Sequence, residues 1–93
     1  MSTTLAKISK ELNIPKDELT KKSLLTFLEY ELRLAEEDIA VIHDKYLVSS
    51  RSELEENIKN KKIYSHPARE DLIAWENLEK HISKIKKMIQ IIK

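Results

Sequence analysis

The side chains of this 93-residue chain that could carry chemistry are carboxylates, three histidines and three arginines, with no cysteine at all. Lack of cysteine excludes a disulfide framework, thiolate zinc and a cysteine nucleophile. Glu29, Glu36 and His43 recur at seven-residue steps, so on a helix they line one face as a carboxylate–imidazole row. Metal centres of helical bundles use Glu-x-x-His pairs, and the chain contains none. The same row reads as the solvated flank of a helix–helix seam, where charged residues are usual. His66 and Glu70 stand one helical turn apart without further ligands, and His66 is expected to cap a helix. His81 lies among lysines and is expected to be exposed. No catalytic residue, metal ligand or cofactor is assigned.

One enzyme class shares the size and the order of long, short and long helices: the all-helical chorismate mutases. Their chemistry needs several cationic groups converging on a dicarboxylate, best supplied by bidentate arginines. This chain offers only Arg33, Arg51 and Arg69, dispersed along its length and without that family's arginine-rich motif. A non-enzymatic protein is the expectation.

Composition narrows the architecture. Glycine is absent, proline occurs only at positions 15 and 67, and charged residues make up 35%. Tight β-hairpin turns usually need glycine, so long helices are favoured over strands. Ninety-three residues make one small domain, 1–93, with a thin core, and self-association is a reasonable expectation. No apolar run approaches the length of a membrane span and no signal-peptide core stands at the start, so a cytoplasmic protein is expected. Net charge is +1, but residues 80–93 carry Lys80, Lys84, Lys86, Lys87 and Lys93 without an acid. These lysines could neutralise phosphates, and Lys80, Lys84, Lys86 and Lys87 are the candidate nucleic-acid contacts. No aromatic residue lies among them to stack on bases.

Periodicity supplies the elements that must position these groups. Leu25, Leu28, Leu32, Ala35, Ile39, Ile42 and Tyr46 alternate steps of three and four, the heptad seam of a helix packed lengthwise on another. Leu24, Phe27, Leu34 and Val41 form a second stripe beside it, so this helix needs two neighbours. Trp75, Leu78, Ile82, Ile85, Ile89 and Ile92 repeat the seam in the last helix. Pro67 suits a first helical position, with Glu70 and Asp71 in the first turn. Ser2, Thr3 or Thr4 can cap a short first helix, and Asn13 can end it in the left-handed conformation. Ser50-Arg51-Ser52-Glu53 matches a capping box for another short helix. The expected fold is all-α: an antiparallel hairpin of two long helices, about 16–46 and 67–92, with two short helices, about 3–12 and 51–60, across its ends.

The candidate seam or dimer contacts are Leu25, Leu28, Leu32, Ile39, Ile42, Phe27, Leu34 and Val41. Ile63, Tyr64, His66 and Trp75 gather large amphipathic groups near a helix start, a composition enriched in interface hot spots. They are the candidate contacts for a partner protein, and Ile63 and Tyr64 are expected to fold back onto the long helices.

Residues 5–30, LAKISKELNIPKDELTKKSLLTFLEY, resemble the helix pair of ribbon-helix-helix antitoxins, with Leu5, Ile8, Leu12, Asn13, Ile14, Leu19, Leu24 and Leu28 at matching places. That family reads DNA with a strand before the first helix, and Met1–Thr4 does not supply one. Ser52–Lys59 and Lys62–Lys80, KIYSHPAREDLIAWENLEK, resemble small archaeal all-helical proteins on the antitoxin side of toxin–antitoxin modules. The resemblance implies a homodimer that binds a toxin protein.

Overall fold

In the computed structural model, which describes residues 2–93, the chain forms four helices in the order α1 (Ser2–Leu12), α2 (Lys16–Tyr46), α3 (Arg51–Lys59) and α4 (Ser65–Ile92). No strand occurs among the described residues. The all-α expectation therefore holds, and α3 starts where its capping signal at Ser50 places it.

α2 and α4 make the main contact of the fold, and their heptad stripes are what they bury. Every seam residue of α2 from Leu25 to Tyr46, and every seam residue of α4 from Trp75 to Ile92, is buried or half-buried. Leu28, early in α2, packs with Ile85 and Ile89 near the end of α4. Ile42, near the end of α2, packs instead with Trp75 in the first half of α4. The partners thus run in opposite order along the two helices.

The core has two unequal parts. Where α3 lies against α4, Ile42, Val48, Leu54, Ile58, Ala68 and Trp75 form one buried cluster, with Leu54 and Ala68 at 0% exposure. At the other end only α2 and α4 contribute to the core, and the buried cluster shrinks to Leu28, Ile85 and Ile89. α1 contacts α2, and its Ile8 and Leu12 remain exposed. The result is a rod of 61 × 20 × 19 Å. Its radius of gyration is 19.3 Å, where a compact chain of this length would have about 12 Å.

Three helices end on a left-handed residue, and none of the three is glycine: Asn13, Leu47 and Lys61 have φ of 56°, 53° and 60°. Each is followed by an amide that reaches back five residues, Ile14 to Ser9, Val48 to His43 and Lys62 to Asn57. This closure satisfies carbonyls that the helix end would otherwise orphan. Asn13 does what its side chain suits it for. Leu47 does not, and the reversal it makes turns Val48 into the core, at 2% exposure, while Leu47 itself stands 87% exposed.

Three local expectations shift. α1 is already helical at Ser2, so Thr3 and Thr4 lie inside its first turn, and Met1, where a cap would sit, lies outside the described residues. At α3 the Ser50 hydroxyl accepts from the Glu53 amide at 3.1 Å, but the Glu53 carboxylate reaches Ser49, accepting from its amide at 2.8 Å and its hydroxyl at 2.6 Å. The reciprocal cap is one residue longer than the motif implies. α4 is not continuous at its start: His66, with φ −115° and ψ 124°, interrupts the helical backbone just before Pro67, and the Tyr64 entry has no side-chain cap.

Two measurements test this architecture. Truncating Leu54 or Ile85, at 0% and 1% exposure, to alanine should cost about 2–5 kcal/mol in urea unfolding. Leu47→Gly should stabilise the protein by about 0.5–1 kcal/mol, since it relieves a left-handed β-carbon and removes no core contact. A loss of stability would show that Leu47 is not held in that conformation.

Candidate functional site

The expected interface residues separate into two sets. Leu25, Leu28, Leu32, Ile39 and Ile42 face α4 and are half-buried or buried. Phe27 and Val41 point away from α4, 58% and 65% exposed, with Leu24 at 48% and Leu34 half-buried on the same side. These four form an apolar stripe along the outside of α2. Beside it, Lys22, Ser23, Thr26, Phe27 and Tyr30 line a shallow groove of about 510 Å³. Arg33 lies over the Tyr30 ring at 5.4 Å and continues the line of cations along that side.

The expected cluster of Ile63, Tyr64, His66 and Trp75 does not assemble. Trp75 is 4% exposed and fills the centre of the three-helix end, and Ile63 packs against the same cluster. Tyr64 does not fold back: it is 91% exposed. His66 is also on the surface, 3.8 Å from Glu70 across one turn. The indole is drawn inward because α3 supplies Leu54 and Ile58 as apolar walls, and the ring is the largest group available to fill the gap between three helices. What remains outside is a shallow cavity of about 540 Å³ lined by Ile58, Lys59, Lys61, Ile63, Tyr64, Ser65 and Arg69.

Lys80, Lys84, Lys86 and Lys87 are all exposed. Lys80 pairs with Glu76 at 3.4 Å, while the other three have no carboxylate within ion-pair distance among the described residues. His81 is exposed, on the rim of a cleft shared with Asp38, Ile42, Ala74, Asn77 and Leu78. His43 faces its neighbour Asp44 at 3.1 Å. Among the described residues, no three His, Asp or Glu side chains are grouped so as to hold a metal ion. Arg33 and Arg51 are engaged with Glu37 at 3.9 Å and Glu79 at 2.7 Å, so the arginines do not converge.

One polar cluster escaped the sequence reasoning. The Tyr46 hydroxyl donates to the Asp71 carboxylate, and the Lys45 ammonium reaches the same oxygen at 2.9 Å. These groups tie the end of α2 to the start of α4. The hydrogen bond from Tyr46 and then that from Lys45 hold the Asp71 carboxyl below its ordinary range, against a smaller opposing effect of burial. Burial, with the bond to Asp71, pushes the Tyr46 phenol up. The separation of 25 residues between Tyr46 and Asp71 leaves no local signal in the sequence. Arg51–Glu79 is hidden for the same reason, and it pins α3 to α4.

A family model matches residues 1–93. The chain belongs to the Uncharacterized protein MJ0235 family. No curated protein and no solved structure matches it. No helix among the described residues is long and apolar enough to cross a membrane. The match spans α1 through α4, so the outer stripe, the polar clasp and the lysine segment all lie within the matched span.

The clasp carries a pH dependence. A carboxyl whose pKa is depressed in the folded state contributes stability that is present above its unfolded pKa, about 3.9, and is lost as pH falls through the folded value. Stability should therefore fall below about pH 4, and Asp71→Asn should flatten the acid limb of a melting-temperature profile. Tyr46→Phe should cost about 1 kcal/mol at neutral pH. An unchanged acid limb in Asp71→Asn would show that other carboxylates carry the effect.

Proposed function

We propose that this chain is a non-enzymatic, single-domain helical interaction protein of the cytoplasm. In this reading it is built on an antiparallel hairpin of α2 and α4, acts as a homodimer and binds a partner protein. The resemblance of residues 5–30 and 52–80 makes that partner an antitoxin's target, a toxin protein, which the chain would mask by covering its surface. The observation that carries the reading is the outer stripe of α2. Leu24, Phe27 and Val41 are 48%, 58% and 65% exposed and aligned along one helix, with Leu34 between them. Contiguous exposed apolar surface rimmed by polar groups marks interaction sites rather than ordinary solvated faces. Tyr64 adds a large amphipathic ring at the far end of the rod, 91% exposed, with His66 beside it. Trp75, enclosed by α3, supports that end from within.

The test is oligomeric state together with capture of the adjacent gene's product on co-expression. Wild type should run as a dimer by light scattering at micromolar concentration and retain the co-expressed protein. Phe27→Glu should become monomeric with an unchanged helical circular dichroism spectrum, because the ring it replaces is not in the core. A monomeric wild type that retains no partner sinks the reading.

A second reading is favoured by Lys84, Lys86 and Lys87, three exposed cations with no acidic partner among the described residues. They would bind a nucleic-acid backbone. Replacing the three with glutamine should then reduce the salt dependence of duplex binding by a slope of about 2–3. No binding at about 0.1 M salt removes this reading.

A further inference from the structure

We propose that the outer stripe of α2 is the contact between two copies of this chain, and that the two α2 helices cross it antiparallel about a two-fold axis at Leu34. This rests on the homodimer reading above and adds its face, its direction and its register.

Surface area supports a covered face. The chain exposes 7268 Å², where a compact monomer of 10.9 kDa would expose about 5,600 Å². The difference exceeds the roughly 800 Å² that one partner gives up in an interface of standard size. The need is greatest along the half of the rod where only α2 and α4 form the core, and Leu24 and Phe27 of the outer stripe flank Leu28 of that core on α2.

Spacing fixes the register. Phe27, Leu34 and Val41 are seven residues apart on either side of Leu34. A two-fold axis at Leu34 sets that residue on its own copy and lays Phe27 of one chain over Val41 of the other. A large ring then meets a small branched side chain at both ends of the contact. An isologous interface requires this kind of self-complementarity.

Charge fixes the direction. Along the side of the stripe, Lys22 and Arg33 come early in α2, and Glu37 and Asp44 come late. All four are exposed, and the two cations make only solvent-accessible pairs with Glu18 and Glu37 one turn away. Antiparallel helices bring Lys22 of one copy toward Asp44 of the other, and Arg33 toward Glu37. Parallel helices would set Glu37 and Asp44 each beside its own copy, which is unfavourable. The groove lined by Lys22, Ser23, Thr26, Phe27 and Tyr30 is open to receive side chains from the late part of the second α2.

Because the chain has no cysteine, single substitutions read the geometry directly. Leu34→Cys should form a disulfide-linked dimer on mild oxidation. Phe27→Cys and Val41→Cys should each fail to cross-link alone and should cross-link when mixed. In the antiparallel register, residue 27 lies about 21 Å along the axis from its own copy, beyond the roughly 7 Å that a disulfide spans. Light scattering on the reduced variants separates the failures. A monomeric wild type overturns the homodimer reading itself. A dimer in which Phe27→Cys links to itself overturns the antiparallel direction, and a dimer in which no pair links overturns the choice of face. Circular dichroism spectra of all three variants, whose substituted side chains lie outside the two buried clusters, should match wild type.

Discussion

The contact between α2 and α4 is the interaction on which the rest of this structure depends. Each helix is too polar on average to be buried and too long to be held by caps alone. Each carries one apolar stripe at heptad spacing, and removing those stripes from water is the main favourable term available to the chain. A fully buried leucine or isoleucine contributes about 1.5–3 kcal/mol, and Ile85 and Leu54 are in that state. Pairing the stripes in opposite order places Leu28 by Ile85 and Ile42 by Trp75. It also brings Tyr46 and Lys45 to Asp71, so the polar clasp follows from the apolar register.

Two helices can cover one stripe each and no more. α3 resolves this at one end by laying Leu54 and Ile58 over Trp75, with Val48 turned inward by the left-handed step at Leu47. At the other end nothing plays that part, and the buried core is reduced to three residues. The rod shape and the exposed Leu24, Phe27 and Val41 have the same origin. α2 has more apolar circumference than its own chain can cover.

That surplus is the reason to read the molecule as a surface for other proteins. Arg51, Lys45 and Asp71 are engaged in holding helices together, and the histidines stand apart on the surface. The charged segment 80–93 is separate from the apolar stripe of α2, so one chain presents two surfaces of different chemistry.

Helix positions and the main seam were legible in the amino-acid sequence, because periodicity is local and neither glycine nor an interior proline interrupts it. The start of α3 at Ser50 and the left-handed end at Asn13 were legible through their side chains. Leu47 and Lys61 were not, since nothing in their chemistry favours positive φ and only the path of the chain imposes it. The sequence by itself could not sort the apolar residues of α2 into inner and outer sets, because both stripes read as seam until one is taken by α4. Nor could it place Trp75 in the core and Tyr64 outside, since both are amphipathic rings near one helix start. The sequence therefore determined which residues are helical and which faces are apolar, properties written within a few turns of chain. Tertiary structure alone decided which face is covered and which polar groups meet, because those depend on contacts between residues some 25 positions or more apart.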